Sequence, residues 1–155
     1  GVCNGFQILC ESGLLPGALL HNNSRKFICK NVHIKAATQN SLITNSIDLT
    51  RALKIPIAHG EGNYFTDADT LKLLQDKDQI LFHYCDENGN ITPESNANGS
   101  LQNIAGVCNA NRNVFGMMPH PERSFRGAQW SWQPQGLGEL SPWAMMFKSA
   151  ATWLR

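Results

Sequence analysis

The sequence predicts an α/β domain, and three observations carry that prediction. Gly1-Val2-Cys3-Asn4-Gly5-Phe6-Gln7 has the form of a strand-to-helix turn, a cysteine between glycines followed by apolar residues at helical spacing. Segments of strand character then recur between Lys26 and Met118, and a capped apolar helix begins at Ser141.

At 155 residues the chain fits one domain, residues 1–155, and is long enough to bury a core. A net charge of +1 with 16% charged residues gives no long-range field for nucleic acid or an anionic membrane. No apolar run reaches membrane-spanning length. The five cysteines are an odd number without a C-x-x-C pair, which argues against a disulfide framework or structural zinc and for a reducing, cytoplasmic setting.

The opening turn reads as a nucleophile elbow. Cys3 would sit on a strained turn, with the backbone N–H of Asn4 at the helix start able to stabilise an oxyanion. An elbow needs a strand before it, yet two residues precede Cys3, so the expectation is a chain cut just upstream of its nucleophile. Taken alone, the motif is also compatible with a buried, inert cysteine.

Phe6, Leu9 and Cys10 suggest a short helix ended by Gly13, with Leu14-Leu15-Pro16-Gly17 as the exit. Lys26 to Ala36 alternates with an imperfect period of two and reads as one or two strands; His33 there is given no role. Asn40 to Ile55 has little period. Ile55 to Ala58 reads as a strand entering His59-Gly60-Glu61-Gly62-Asn63-Tyr64, which is either a plain turn or a loop bringing backbone amides to a ligand. It has no phosphate-loop pattern.

Thr66-Asp67-Ala68-Asp69 caps a helix carrying Leu71, Leu73 and Leu74. Gln79 to Cys85 is a strand, Asn88-Gly89 a turn, and Thr92 to Gln102 a polar loop. Asn103 to Cys108 and Asn113 to Met118 are strands joined by Asn109 to Arg112. The second delivers His120, held between Pro119 and Pro121. An extended backbone there would place His120 and Glu122 side by side, the carboxylate setting the imidazole tautomer. A zinc site is the weaker reading of this pair, because no third ligand has suitable spacing. Ser124 to Leu140, with Trp130 and Trp132, reads as a lid, an interface or a disordered loop, the tryptophans favouring an interface if exposed and packing if tucked into the core. Ser141 and Pro142 begin a helix with Trp143, Met146, Phe147, Ala150 and Leu154 on one stripe.

Cys3, His120 and Glu122 together make the set needed for thiol acyl transfer. Histidine activates the thiol, the thiolate attacks a carbonyl, and the imidazolium returns the proton to the leaving group.

Four motifs in order along the chain, G-V-C-N-G-F-Q (1–7), L-L-P-G-A (14–18), I-A-H-G-E-G-N (57–63) and G-M-M-P-H-P-E-R (116–123), resemble the class I glutamine amidotransferase unit of phosphoribosylformylglycinamidine synthase. The S-P-W at 141–143 resembles the end of its long, fused form. The resemblance implies a three-layer, flavodoxin-like α/β sheet with helices on both faces, lacking its first strands. Residues 1–155 would then be the C-terminal two-thirds of a larger glutaminase domain.

It further implies a glutaminase with Cys3 as nucleophile, His120 as general base and acid, Glu122 as orienting carboxylate and Asn4 as oxyanion donor. Gln7 would face the bound glutamine, with His59 and Gly60 near it. No metal or cofactor is implied in this domain. ATP and magnesium would serve a synthetase subunit or domain that takes the ammonia and makes formylglycinamidine ribonucleotide in purine biosynthesis. Without the upstream loop that completes the oxyanion hole, weak or no activity is expected of the chain alone. The alternatives are a stand-alone thiol hydrolase, such as a peptidase or γ-glutamyl hydrolase, and a non-catalytic module docking through its tryptophan-bearing loop.

Overall fold

A computed structural model describes residues 1–126, 129 and 141–153. Trp130, Trp132 and Leu154 lie outside the described residues, and with them most of the expected lid or docking loop. The elements run α1 (Asn4–Glu11), β1 (Ala18–Leu20), β2 (Ile28–Ala36), β3 (Leu53–His59), β4 (Asn63–Phe65), α2 (Ala68–Asp76), β5 (Ile80–Cys85), β6 (Ile104–Cys108), β7 (Phe115–Met117) and α3 (Pro142–Trp153).

Strands β3-β2-β5-β6-β7 form one sheet in that order, each neighbouring pair antiparallel, while β1 and β4 make a separate antiparallel ribbon. Val2 pairs in parallel with Met117, so the residues entering the elbow extend the sheet beyond β7. The sheet is apolar on both faces. Phe6, Cys10 and Leu74 of α1 and α2 pack with Ile80, Ile104 and Val107 on one side. Trp143 and Met146 of α3 pack with Ile34, Ile55, Ile57 and Phe82 on the other. This is the expected layering of helices about a sheet, and successive residues of β6, such as Ile104 and Ala105, serve opposite faces.

Lys26 to Ala36 resolves into the single strand β2, whose second half alternates buried and half-buried residues. β3 begins two residues before the sequence suggests, and its strict alternation tolerates Pro56 because β3 is an edge strand. Asp67 caps α2 as expected, accepting the Thr70 N–H at 2.8 Å, and the Trp143 N–H donates to Ser141 Oγ at 3.1 Å. The stripe on α3 is partial: Trp143 and Met146 are buried, Phe147 is exposed.

The sheet curls enough for its two edges to approach. β3 and β7 lie at opposite ends of the strand order, yet the His120 N–H, three residues past β7, donates to Pro56 O of β3 at 2.9 Å. The elbow stands at this junction.

Candidate active site

Cys3 has φ +50° and ψ −109°, a left-handed conformation that costs a side-chain-bearing residue on the order of 1–3 kcal/mol. Neighbouring bonds hold it there. The Cys3 N–H donates to Met117 O at 2.9 Å, and the Cys3 carbonyl accepts from Phe6 and Gln7 as α1 begins. Gly1 is demanded by packing, since a Cβ would fall 2.6 Å from the Gly5 backbone; at Gly5 a Cβ would meet nothing, so that position leaves open space beside the nucleophile. Phe6 anchors the helix by lying against Gly116, where a Cβ would stand 2.1 Å from its ring, and by stacking on Tyr64 at 5.8 Å between centroids.

The Cys3 thiol is buried, with the Ala58 carbonyl 3.8 Å from Sγ. Burial pushes its pKa up. The Asn4 N–H and the Arg123 guanidinium oppose that rise, and the Glu122 carboxylate adds to it.

His120 and Glu122 meet, though not by extended backbone. Pro121 to Ser124 forms a short 3-10 turn with Pro121 at its first position, where its fixed φ suits a helical start. That turn carries Glu122 back over His120, and Nδ1 lies 2.6 Å from Oε1. Because the carboxylate can only accept, Nδ1 carries a proton, so in the neutral form of the ring Nε2 is the nitrogen that bears the lone pair. Among the described residues, Nε2 is buried without a hydrogen-bond partner. Arg123 Nε stands 3.8 Å from the same Glu122 oxygen.

Cys3, Asn4, Gln7, His59, Gly60 and His120 all line one cavity of about 520 Å³. Of the residues singled out in the sequence, Glu122 alone is not in its wall; it lies on the Nδ1 side of His120. His59 ends β3 with Nδ1 3.0 Å from Asn22 Oδ1, and Asn22 also accepts the Gly62 N–H at 3.0 Å and donates to His59 O at 2.9 Å. Burial, reinforced by His120, holds His59 down to about 4, so it is a neutral acceptor with an unpartnered Nε2. Gly62 is required here, because a Cβ would lie 2.3 Å from the His59 ring, whereas Gly60 has room for one. The loop is therefore both a tight turn and a wall of the cavity.

The wall also contains His21, Phe27, Glu61 and Arg123, which the sequence reading did not assign. Glu61 and Arg123 stand inside quoted motifs and could have been raised from them; His21 and Phe27 reach the cavity only through tertiary folding. Among the described residues, no group of three or more His, Cys, Asp or Glu side chains is arranged to hold a metal, and no helix is long and apolar enough to cross a membrane. A thiol at a helix N-terminus, an imidazole held by a carboxylate at Nδ1 and an open cavity are the equipment that acyl transfer from a small carbonyl substrate requires.

Residues 1–154 match the CobB/CobQ-like glutamine amidotransferase domain. Phosphoribosylformylglycinamidine synthase subunit PurQ of Acaryochloris marina is 56% identical over 124 residues, covering 80% of this chain and 53% of that protein. The subunit of the same name from Pelagibacter ubique is 57% identical over 123 residues, covering 79% and 54%. The chain thus spans about half the length of the curated relatives it matches. The solved structure of PurLQS from Thermotoga maritima superposes with a TM-score of 0.75 at 37% identity, covering 100% of this chain and 61% of the other. The chain belongs to the CobB/CobQ-like glutamine amidotransferase domain family.

Proposed function

We propose that the chain hydrolyses glutamine to glutamate and ammonia through Cys3, His120 and Glu122, as the glutaminase part of phosphoribosylformylglycinamidine synthase. The observation that carries this reading is the 2.6 Å contact between His120 Nδ1 and Glu122, which orients an imidazole whose residue lines the same cavity as Cys3. The relatives' name, phosphoribosylformylglycinamidine synthase subunit PurQ, supports the assignment to that synthase.

In this scheme His120 Nε2 takes the Cys3 proton and the thiolate attacks the side-chain carboxamide carbon. The carbonyl oxygen, now negative, faces the Asn4 N–H at the start of α1. The imidazolium, stabilised by Glu122, passes its proton to the departing nitrogen, and ammonia leaves with a Cys3 thioester behind it. Water, deprotonated by the same Nε2, then releases glutamate. Burial raises the Cys3 thiol pKa, so in this scheme its activation depends on proton transfer to His120.

The ammonia goes to a synthetase subunit or domain, which uses ATP and magnesium to convert formylglycinamide ribonucleotide to the amidine in the cytoplasm. This chain needs no cofactor of its own, and its residues 1–155 act as part of a larger glutaminase domain. The test is glutamate release and amidine formation with the synthetase, ATP and either glutamine or ammonium. Cys3→Ser is expected to abolish both glutamine-dependent products and to spare the ammonium-dependent one. Glutamine-dependent amidine formation that survives Cys3→Ser contradicts the reading.

A further inference from the structure

We infer that Glu61 is a specificity-determining residue that receives the α-ammonium group of the amino-acid substrate, an inference that rests on the reading of Cys3 as a glutaminase nucleophile. The Gln7 N–H donates to Cys3 O at 3.1 Å, so Gln7 sits one turn along α1, on the face that carries the nucleophile. Its Nε2 donates to Glu61 O at 3.1 Å and to Glu61 Oε2 at 3.3 Å, tying that carboxylate to the nucleophile's helix. Residues four apart on a helix have Cβ atoms about 5–6 Å apart.

That spacing suits the substrate. In glutamine, four bonds separate the carboxamide carbon from the α-nitrogen, roughly 5 Å when extended. With its carboxamide at Cys3, the ammonium reaches the level of Glu61. Charge is divided in the same sense along the wall, since Arg123 stands by Glu122 and lowers the thiol's pKa, while Glu61 is the carboxylate among the lining residues.

Glu61 is half exposed, and His21 Nδ1 lies 3.3 Å from its other oxygen, Oε1. The carboxylate therefore stays hydrated and open to a ligand, and it can exchange water for the ammonium. Backbone bonds on either side steady the loop: Asn22 N–H donates to Gly60 O at 2.9 Å, and Asn22 Oδ1 receives the Gly62 N–H. An exposed surface carboxylate without such ties would not discriminate.

The experiment compares the rates at which Cys3 is alkylated by 6-diazo-5-oxo-L-norleucine and by its counterpart lacking the α-amino group, followed by peptide mass spectrometry. In the unsubstituted protein the amino-bearing reagent is expected to react about tenfold faster or more, the scale of one charge-assisted hydrogen bond. Glu61→Gln keeps an oxygen for the Gln7 amide but loses the charge. It should slow the amino-bearing reagent about tenfold and leave the other unchanged, and Glu61→Asp should recover part of the difference. Equal slowing of both reagents would make Glu61 a structural tie and overturn the inference. So would no preference in the unsubstituted protein, with Cys3 still labelled and the nucleophile reading intact. Failure of both reagents to label Cys3 would remove that reading, and the Glu61 assignment with it.

Discussion

His120 Nδ1 and Glu122 Oε1 lie 2.6 Å apart across a 3-10 turn begun by Pro121, a contact that fixes which imidazole nitrogen holds the proton. The neighbouring Pro56 carbonyl takes the His120 N–H at 2.9 Å, so both the ring's tautomer and its backbone position are determined before substrate arrives. Glu122→Gln replaces an acceptor-only group with one that can present either an oxygen or an N–H. The expected result is a loss on the order of 10²- to 10⁴-fold in the rate of Cys3 acylation by glutamine, with little change in stability, because Glu122 is half exposed. Single-turnover kinetics beside a denaturation curve would check both halves.

The elbow depends on a close approach between α1 and β7. Gly116→Ala would drive a methyl group to within 2.1 Å of the Phe6 ring, and Phe6 is fully buried. A destabilisation of about 1–3 kcal/mol is expected, with slower Cys3 alkylation as α1 shifts. Urea titration and alkylation rates on the same preparation would measure this.

Asn22, fully buried, ties His59 of the cavity wall to Gly62 and Lys26. Asn22→Ala leaves Gly62 N–H, His59 Nδ1, His59 O and Lys26 O without their side-chain partner, at an expected cost of roughly 3 kcal/mol. Asn22→Asp keeps the acceptor at Oδ1 but sets a buried charged oxygen against the His59 and Lys26 carbonyls, so at about pH 7 it should destabilise at least as much as Asn22→Ala in urea titration.

His59 gives a sign for the pH dependence. Its folded-state pKa is depressed from 6.5 to about 4, so the unfolded chain binds the proton more readily between those values. The contribution is fully present above pH 6.5 and is lost as pH falls toward 4, on the order of 3 kcal/mol in all. Unfolding free energies at pH 7 and pH 4.5 should differ by less in His59→Gln than in the unsubstituted protein.

Much of the arrangement is legible in the sequence because its signals are local. The glycine-flanked Cys3, the capping Asp67 and Ser141, the alternation in β2 and the apolar run of β5 each depend on near neighbours and appear in the structure where local chemistry places them. The 3-10 turn at Pro121 was not legible: proline suits both extended backbone and a helical first turn, and only the Pro56 carbonyl across the junction decides between them. Nor could the sequence show that Asn22 sets the tautomer of His59, which is 37 residues away. Glu61 lay in plain view, but its link to Gln7 crosses 54 residues and needs the curled sheet to form.

The central claim is that Cys3 is the nucleophile of a glutamine site, and it is tested most directly by 6-diazo-5-oxo-L-norleucine with and without competing glutamine, followed by mass-spectrometric mapping of all five cysteines. The account predicts modification of Cys3 alone, slowed by glutamine, with Cys10, Cys29, Cys85 and Cys108 unmodified. Labelling spread over exposed Cys29 and the others without glutamine protection, or no labelling of Cys3, would contradict it.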